Sequence, residues 1–251
     1  MRRPSALVVV VTAILGGAVL AACDAHAPSA TAPNPPATDP VNGTGAPSPG
    51  GATLRYVALG DSYTIGTSVG IAERWPDQLV AALGPQPPTL QLVANLGVNG
   101  FTSRDVLDIE LPQLAGLDPE FFTLLVGVND IVQGVPETTF RRNVTTILDD
   151  LVARVGAERI VVVTTPDYTV TPAGGNFGDP AQQAAGIRLN NQVITMLAEA
   201  RGIVVVDIHD ISLGAATDRS LVARDGLHPS GAQYALWVAR ILPAVEALLG
   251  R

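Results

Sequence analysis

Leu54-Arg55-Tyr56-Val57-Ala58-Leu59-Gly60-Asp61-Ser62 is the stretch on which the reading of the chain turns. An apolar run with aromatic and β-branched side chains makes a strand, and a glycine followed by two small polar residues ends it in a turn. Further runs of the same kind are spaced along the chain, and strands are expected at Leu54 to Leu59, Leu90 to Asn95, Phe121 to Val126, Arg159 to Thr164 and Ile203 to Asp207. Longer helical patterns lie between them. One helix opens at Pro76, one follows Thr102 with Asp105 completing a box-like cap, one runs from about Pro136 to Val155, and one from about Pro180 to Ala200. A last helix follows Ser230, with Gln233 three residues on as the capping-box partner. Strands alternating with helices predict an α/β fold: three layers, an open parallel sheet of about five strands, flavodoxin-like, with helices on both faces.

Composition sets the frame. The chain has 251 residues, 47% of them hydrophobic, enough for one domain of about 200 residues with a buried core. All 15 basic residues are arginine against 23 Asp plus Glu, a net charge of −8, which argues against nucleic acid as a partner. No cluster of His, Cys, Asp and Glu has metal-ligand spacing, and no Gly-rich loop leads into a phosphate-binding Lys, so no metal or cofactor is expected. A monomer is expected.

The amino terminus reads as a targeting segment: Arg2 and Arg3, an apolar run from Ala6 to Leu20, then small residues before Cys23, the only cysteine. Leu20-Ala21-Ala22-Cys23 resembles a bacterial lipobox, which implies cleavage before Cys23 and a lipid anchor on its sulfur. An uncleaved transmembrane anchor is the competing reading, and either one places the domain outside the cytoplasm, on a bacterial membrane. Residues 24–52 are rich in Pro, Ala, Gly, Ser and Thr and lack apolar periodicity, so they cannot bury enough surface to offset the entropy of ordering. Extended, they would reach roughly 90 Å, as a spacer or as a leader with no spacing role. The expected division is therefore a signal segment 1–22, a lipidated Cys23 with linker 23–52, and a folded domain 53–251.

Four short motifs fall within the folded domain: Gly60-Asp61-Ser62, Gly97, Gly127-Val128-Asn129-Asp130 and Asp225-Gly226-Leu227-His228. Each follows a predicted strand, and in open α/β sheets ligands bind at the carboxyl ends of strands, so distant residues can converge there. The residue types suit acyl transfer. Ser62 can be a nucleophile, His228 the base that takes its proton, and Asp225 the group that orients the imidazole and stabilises the imidazolium. Gly97 and Asn129 can donate to an oxyanion, Gly97 because a residue without a side chain lets its N–H approach a ligand closely. Taken singly, Asn129 and Asp130 could stabilise a turn, Asp225 could be a surface loop residue, and His228 could cap the last helix. Asp61 reads as support for the Ser62 turn.

In this order the motifs resemble those of the SGNH (GDSL-type) hydrolase family over Gly60 to Pro229. The resemblance implies a serine hydrolase of carboxylic esters, with a Ser62–His228–Asp225 triad and an oxyanion hole built from the backbone amides of Ser62 and Gly97 and the side-chain amide of Asn129. Of the two nearby glycines, Gly97 is taken over Gly100 for its spacing from the second strand. Substrates in such a family include acylated lipids, lysophospholipids, thioesters and acylated saccharides. The loop Asp167 to Pro180 carries Tyr168, Asn176 and Phe177, which could line a pocket or simply close a surface loop. The rival function is a non-catalytic envelope lipoprotein that binds a glycan or lipid in the same cleft.

Two other motifs compete for the chemistry. Gly66-Thr67-Ser68-Val69-Gly70 matches a nucleophile elbow, but that elbow needs a strand running directly into the serine, and Ser68 lies beyond the first strand, in what reads as the approach to a helix. His209, in Asp207-Ile208-His209-Asp210, is a second possible base without an aspartate three residues before it.

Overall fold

The apolar runs read as strands form a sheet in which every strand is parallel to its neighbours. The structure is a computed structural model that describes residues 52–251. The expectations for the signal segment, Cys23 and nearly all of the linker lie outside the described residues. The strands are β1 (Thr53–Gly60), β2 (Thr89–Asn95), β3 (Phe121–Leu125), β4 (Ile160–Val163) and β5 (Val204–Val206). They lie in the order β2-β1-β3-β4-β5, the flavodoxin-like arrangement expected. From β1 the chain goes outward to β2 and then returns to the other side of β1 as β3, which makes the β1/β3 crevice the switch point in strand order. Register along this seam runs from Tyr56 opposite Phe121 to Gly60 opposite Leu125.

Four long helices cover the two faces: α1 (Trp75–Leu83), α2 (Glu137–Val155), α3 (Pro180–Glu199) and α4 (Gly231–Leu248). Alternation of side chains along each strand divides the interior into two cores. Tyr56, Ala58, Phe121 and Val161 point to the face where Trp75 and Leu79 of α1 and Tyr234, Trp237 and Ile241 of α4 pack. Val57, Leu59, Phe122 and Val162 point to the face covered by Phe140, Val144 and Ile147 of α2 and Val193 and Ile194 of α3. No helix among the described residues is long and apolar enough to cross a membrane.

Local chemistry starts and stops the helices much as the sequence suggests. Pro76 lies in the first turn of α1, Pro136 is the residue before α2, and Pro180 opens α3 behind Asp179, whose side chain accepts the Gln182 N–H at 2.9 Å. Asp105 accepts both the N–H and the hydroxyl of Thr102, at 2.8 and 2.6 Å. The capping box at α4 is only half made. Ser230 caps the Gln233 N–H at 3.3 Å, but the Gln233 side chain donates to the Leu221 carbonyl at 3.0 Å instead of returning to Ser230. The same carbonyl also accepts the Ser230 N–H at 2.9 Å, so two bonds hold the preceding loop to the start of α4.

Trp237 on α4 is fully buried between Tyr63 and Tyr234, with ring centroids at 6.5 and 5.0 Å. Trp237→Ala is expected to lower the unfolding free energy by about 3–5 kcal/mol, read as a reduced urea midpoint at unchanged m-value.

Candidate active site

The site begins where β1 ends. Gly60 has a φ of +147°, and a Cβ there would stand 2.1 Å from the Leu125 carbonyl oxygen of β3, so only glycine lets the two strand ends lie this close. The next residues turn at once into the short helix Ser62–Ile65. Asp61 caps it twice: its carbonyl oxygen accepts the N–H groups of Thr64 and Ile65, at 3.1 and 3.0 Å, and its carboxylate accepts the N–H of Tyr63 at 2.9 Å. Asp61 is therefore the structural support expected of it.

The glycine read as an oxyanion donor, Gly97, lies beneath this turn. A Cβ there would meet Asp61 O at 2.7 Å and Ile65 N at 2.8 Å. Its N–H donates to the Asn95 side-chain oxygen at 3.2 Å, and it does not line the cavity beside Ser62. Gly100 lines it instead, at a φ of +83°. Gly97 is thus required for close packing, and the glycine at the cavity is the one set aside on spacing. The signal that could have found it is the Asn99-Gly100 pair, a strong turn dipeptide.

From the end of β3, Gly127 at a φ of +133° leads into the short helix Val128–Val132. Asn129 on its first turn lines the cavity, and its side-chain nitrogen donates to Phe101 O at 2.9 Å with Asp61 Oδ2 at 3.5 Å. Asp130 points the other way and accepts the N–H and hydroxyl of Ser103, at 2.9 and 2.6 Å.

The last motif forms a tight loop before α4. Asp225 Oδ1 accepts the N–H groups of Leu227 and His228, at 2.9 and 3.0 Å, and Oδ2 lies 2.7 Å from His228 Nδ1. Partial burial works to raise the Asp225 carboxyl, but the donors from Leu227, Ser68 and His228 outweigh it and hold the group down at about 2. Asp225 is thus an anion facing one nitrogen of the His228 ring. The imidazole packs beside the Tyr63 ring, centroids 5.4 Å apart.

Ser62, Asn129 and His228 line one cavity of about 230 Å³, together with Tyr63, Val128, Val132, Tyr168, Phe177 and Leu227. Its walls are mainly apolar, and the serine, amide and imidazole are among the few polar groups that line it. Tyr168 and Phe177 take the pocket-lining role left open for their loop, and their rings meet edge-on at 5.6 Å, whereas Asn176 does not reach the cavity. His209 lies outside it, with Nε2 3.8 Å from Asp167 Oδ2. Ser68 does not line the cavity either. It sits in the turn that leads to the 3-10 helix Ile71–Glu73 and on to α1, the helix approach read for it, and its hydroxyl donates to Asp225 Oδ2 at 2.7 Å.

Sequence reasoning missed one buried acid. Glu110 ends a single π-helical turn, Val106–Glu110, and its Oε2 accepts the Gly60 N–H at 3.0 Å, just ahead of the Ser62 turn. In sequence it reads as an ordinary surface charge. Among the described residues no group of His, Cys, Asp and Glu is arranged to hold a metal ion.

Residues 58–236 match the model of the GDSL-like Lipase/Acylhydrolase family. Solved structures with a similar fold include a variant of an acetyl xylan esterase from Geobacillus stearothermophilus, at 19% identity and a TM-score of 0.62 over 78% of this chain and 95% of that one. TesA is similar at 17% identity and a TM-score of 0.61, over 78% of this chain and 100% of that one. A member of the lipolytic protein G-D-S-L family from Veillonella parvula is similar at 18% identity and a TM-score of 0.60, over 76% and 97%. At these identities the likeness establishes the fold. Among curated proteins no sequence matches the chain.

Burial raises Glu110 from 4.5 to about 9, against the lowering effect of the Gly60 N–H and helped by the charges of Asp61 and Asp105. Burial likewise raises Asp61 from 3.8 to about 7. Both acids hold their protons more tightly folded than unfolded, so their contribution to stability is complete below about pH 4 and is lost as pH rises towards 9. Thermal melting is expected to shift downward between pH 5 and 9, and Glu110→Gln, which keeps an acceptor for Gly60, should flatten the slope above pH 7.

Proposed function

The chain belongs to the GDSL-like lipase/acylhydrolase family and is a serine hydrolase of ester bonds; from that premise we propose that Ser62, His228 and Asp225 carry the reaction. The observation that carries this reading is the 2.7 Å contact between Asp225 Oδ2 and His228 Nδ1, on an imidazole that shares a cavity with Ser62. With Nδ1–H given to Asp225, Nε2 is left as the acceptor, the tautomer a general base needs. Ser62 and His228 have no direct hydrogen bond, and such contacts commonly tighten only when substrate is bound.

The sequence of steps follows. Ser62 Oγ attacks the acyl carbon as its proton passes to His228 Nε2, and the carbonyl electrons move onto oxygen. The N–H groups of Ser62 and Gly100 and the Asn129 amide hydrogen that otherwise faces Asp61 Oδ2 at 3.5 Å are the donors that stabilise that anion. Collapse of the tetrahedral species expels the alcohol, which takes the proton from His228, and leaves Ser62 acylated. Water then attacks with His228 again as base, the bond to Ser62 Oγ breaks as His228 returns the proton to that oxygen, and the carboxylic acid departs. Asp225 stays ionised throughout, as its four hydrogen bonds favour.

The apolar walls of Val128, Val132, Tyr168, Phe177 and Leu227 suit the acyl part of a small ester, a lipid or an acylated saccharide, bound with its carbonyl towards Ser62. The amino-terminal segment completes the proposal: Cys23 carries the lipid that tethers the enzyme to the outer side of a bacterial membrane.

Ser62→Ala is expected to leave the fold intact and lower kcat on a chromogenic ester by about 10⁴-fold or more. Asn129→Ala should cost about 10²- to 10³-fold in kcat. Near-normal turnover in Ser62→Ala would overturn the assignment. Palmitate labelling of cells expressing the full chain should be lost in Cys23→Ser, and its persistence would remove the anchor from this account.

A further inference from the structure

Ser68 belongs to the motif that the nucleophile assignment rejected, and it is one of two non-glycine residues among those described with a positive φ, at +69°. A serine in the left-handed region costs on the order of 1 kcal/mol or more, and such strain persists where surrounding contacts impose it. Those contacts are made by the two residues before it. Thr67 N–H donates to the Ser62 carbonyl at 3.0 Å, and the Thr67 hydroxyl bonds to the Asn99 side chain. Gly66, at a φ of +70°, packs so tightly on Arg74 that a Cβ would stand 2.5 Å from its side chain.

The strained backbone delivers one hydroxyl to one place. Ser68 Oγ donates to Asp225 Oδ2 at 2.7 Å, the same oxygen that faces His228 Nδ1 at 2.7 Å. Asp225 Oδ1 is already filled by the N–H groups of Leu227 and His228 from its own loop. The carboxylate therefore has four partners for about four lone-pair directions. Three of them come from within three residues of Asp225, and only Ser68 comes from elsewhere in the chain, across 157 positions. It is the one hydrogen bond that ties the loop behind the nucleophile to the loop that holds the base.

We infer that Ser68 is a positioning residue for the Asp225–His228 pair, fixing the carboxylate plane and drawing charge from the oxygen that faces the imidazole; this rests on the triad reading given above. Without the hydroxyl, Oδ2 would bear more negative charge towards His228, the imidazolium would be stabilised, and the base would lose its proton at higher pH. The other ionisable groups around the pair do not mimic this effect. Tyr63, beside the His228 ring, and Tyr234 are pushed well above the ordinary tyrosine range by burial and stay neutral, and Asp61, raised by burial to about 7, is common to every variant compared, as is Arg74.

The test compares Ser68→Ala with Ser68→Gly in the full chain. Both lack the hydroxyl, but glycine relieves the positive φ and alanine does not. In both variants kcat is expected to fall by about 10- to 100-fold at little change in KM, the size of one hydrogen bond to a charged group, and the acid limb of kcat/KM should move to higher pH. Melting temperatures should diverge, with the glycine variant the more stable. A glycine variant with wild-type turnover and pH profile would mean that Ser68 serves only the turn, and would overturn the inference. Ser62→Ala is measured alongside. If it stays active, the triad reading itself has failed; if it is inactive while both Ser68 variants keep the wild-type profile, only the role of Ser68 has failed.

Discussion

The carbonyl oxygen of Asp61 is the fixed point of the structure. It accepts the N–H groups of Thr64 and Ile65, and so turns the end of β1 into a helix within one residue of Ser62. Gly97 closes against the same oxygen from β2, Gly60 closes against the β3 carbonyl of Leu125, and Glu110 holds the Gly60 N–H from below. Three adjacent parts of the sheet edge are thereby locked around one serine. The strand order β2-β1-β3-β4-β5 puts the ends of β1 and β3 side by side at the switch point. His228 need only be brought to that crevice, and the hydrogen-bonded loop at Asp225 does so.

The two sides of the cavity have different jobs. Its polar groups have positions set by hydrogen bonds: Asn129 through the Phe101 carbonyl, and the His228 ring through the Asp225 carboxylate. Its apolar side is built from Val128, Val132, Tyr168, Phe177 and Leu227, residues that shape space without fixing direction. Tyr168 is anchored by its hydroxyl to Gln183 at 2.7 Å, while Phe177, at the end of the 3-10 helix Gly174–Phe177, is 37% exposed.

Much of this was legible in the sequence because it depends on pattern. Five buried parallel strands have to be apolar, so each stands out as a run, and the ends observed differ from those read by at most one residue. Ser62, Asn129, Asp225 and His228 follow three of those strands as polar groups in small-residue turns, which a core cannot tolerate for packing alone. What escaped was whatever depends on three-dimensional proximity. Gly97 and Gly100 look alike in sequence, yet one is small because a helix turn presses on it and the other because its φ is positive. Glu110 looks like a surface acid, since only the π-helical turn directs it inward. Ser68 looks like filler because its partner is 157 residues away.

The central claim is that Ser62 is a nucleophile activated by His228. The most direct measurement is reaction of the purified, folded chain with a fluorophosphonate probe, followed by mass mapping of the modified residue. The account predicts a single adduct on Ser62 that is lost in His228→Ala. Absence of labelling in the folded protein, or an adduct on another serine such as Ser68, would contradict it.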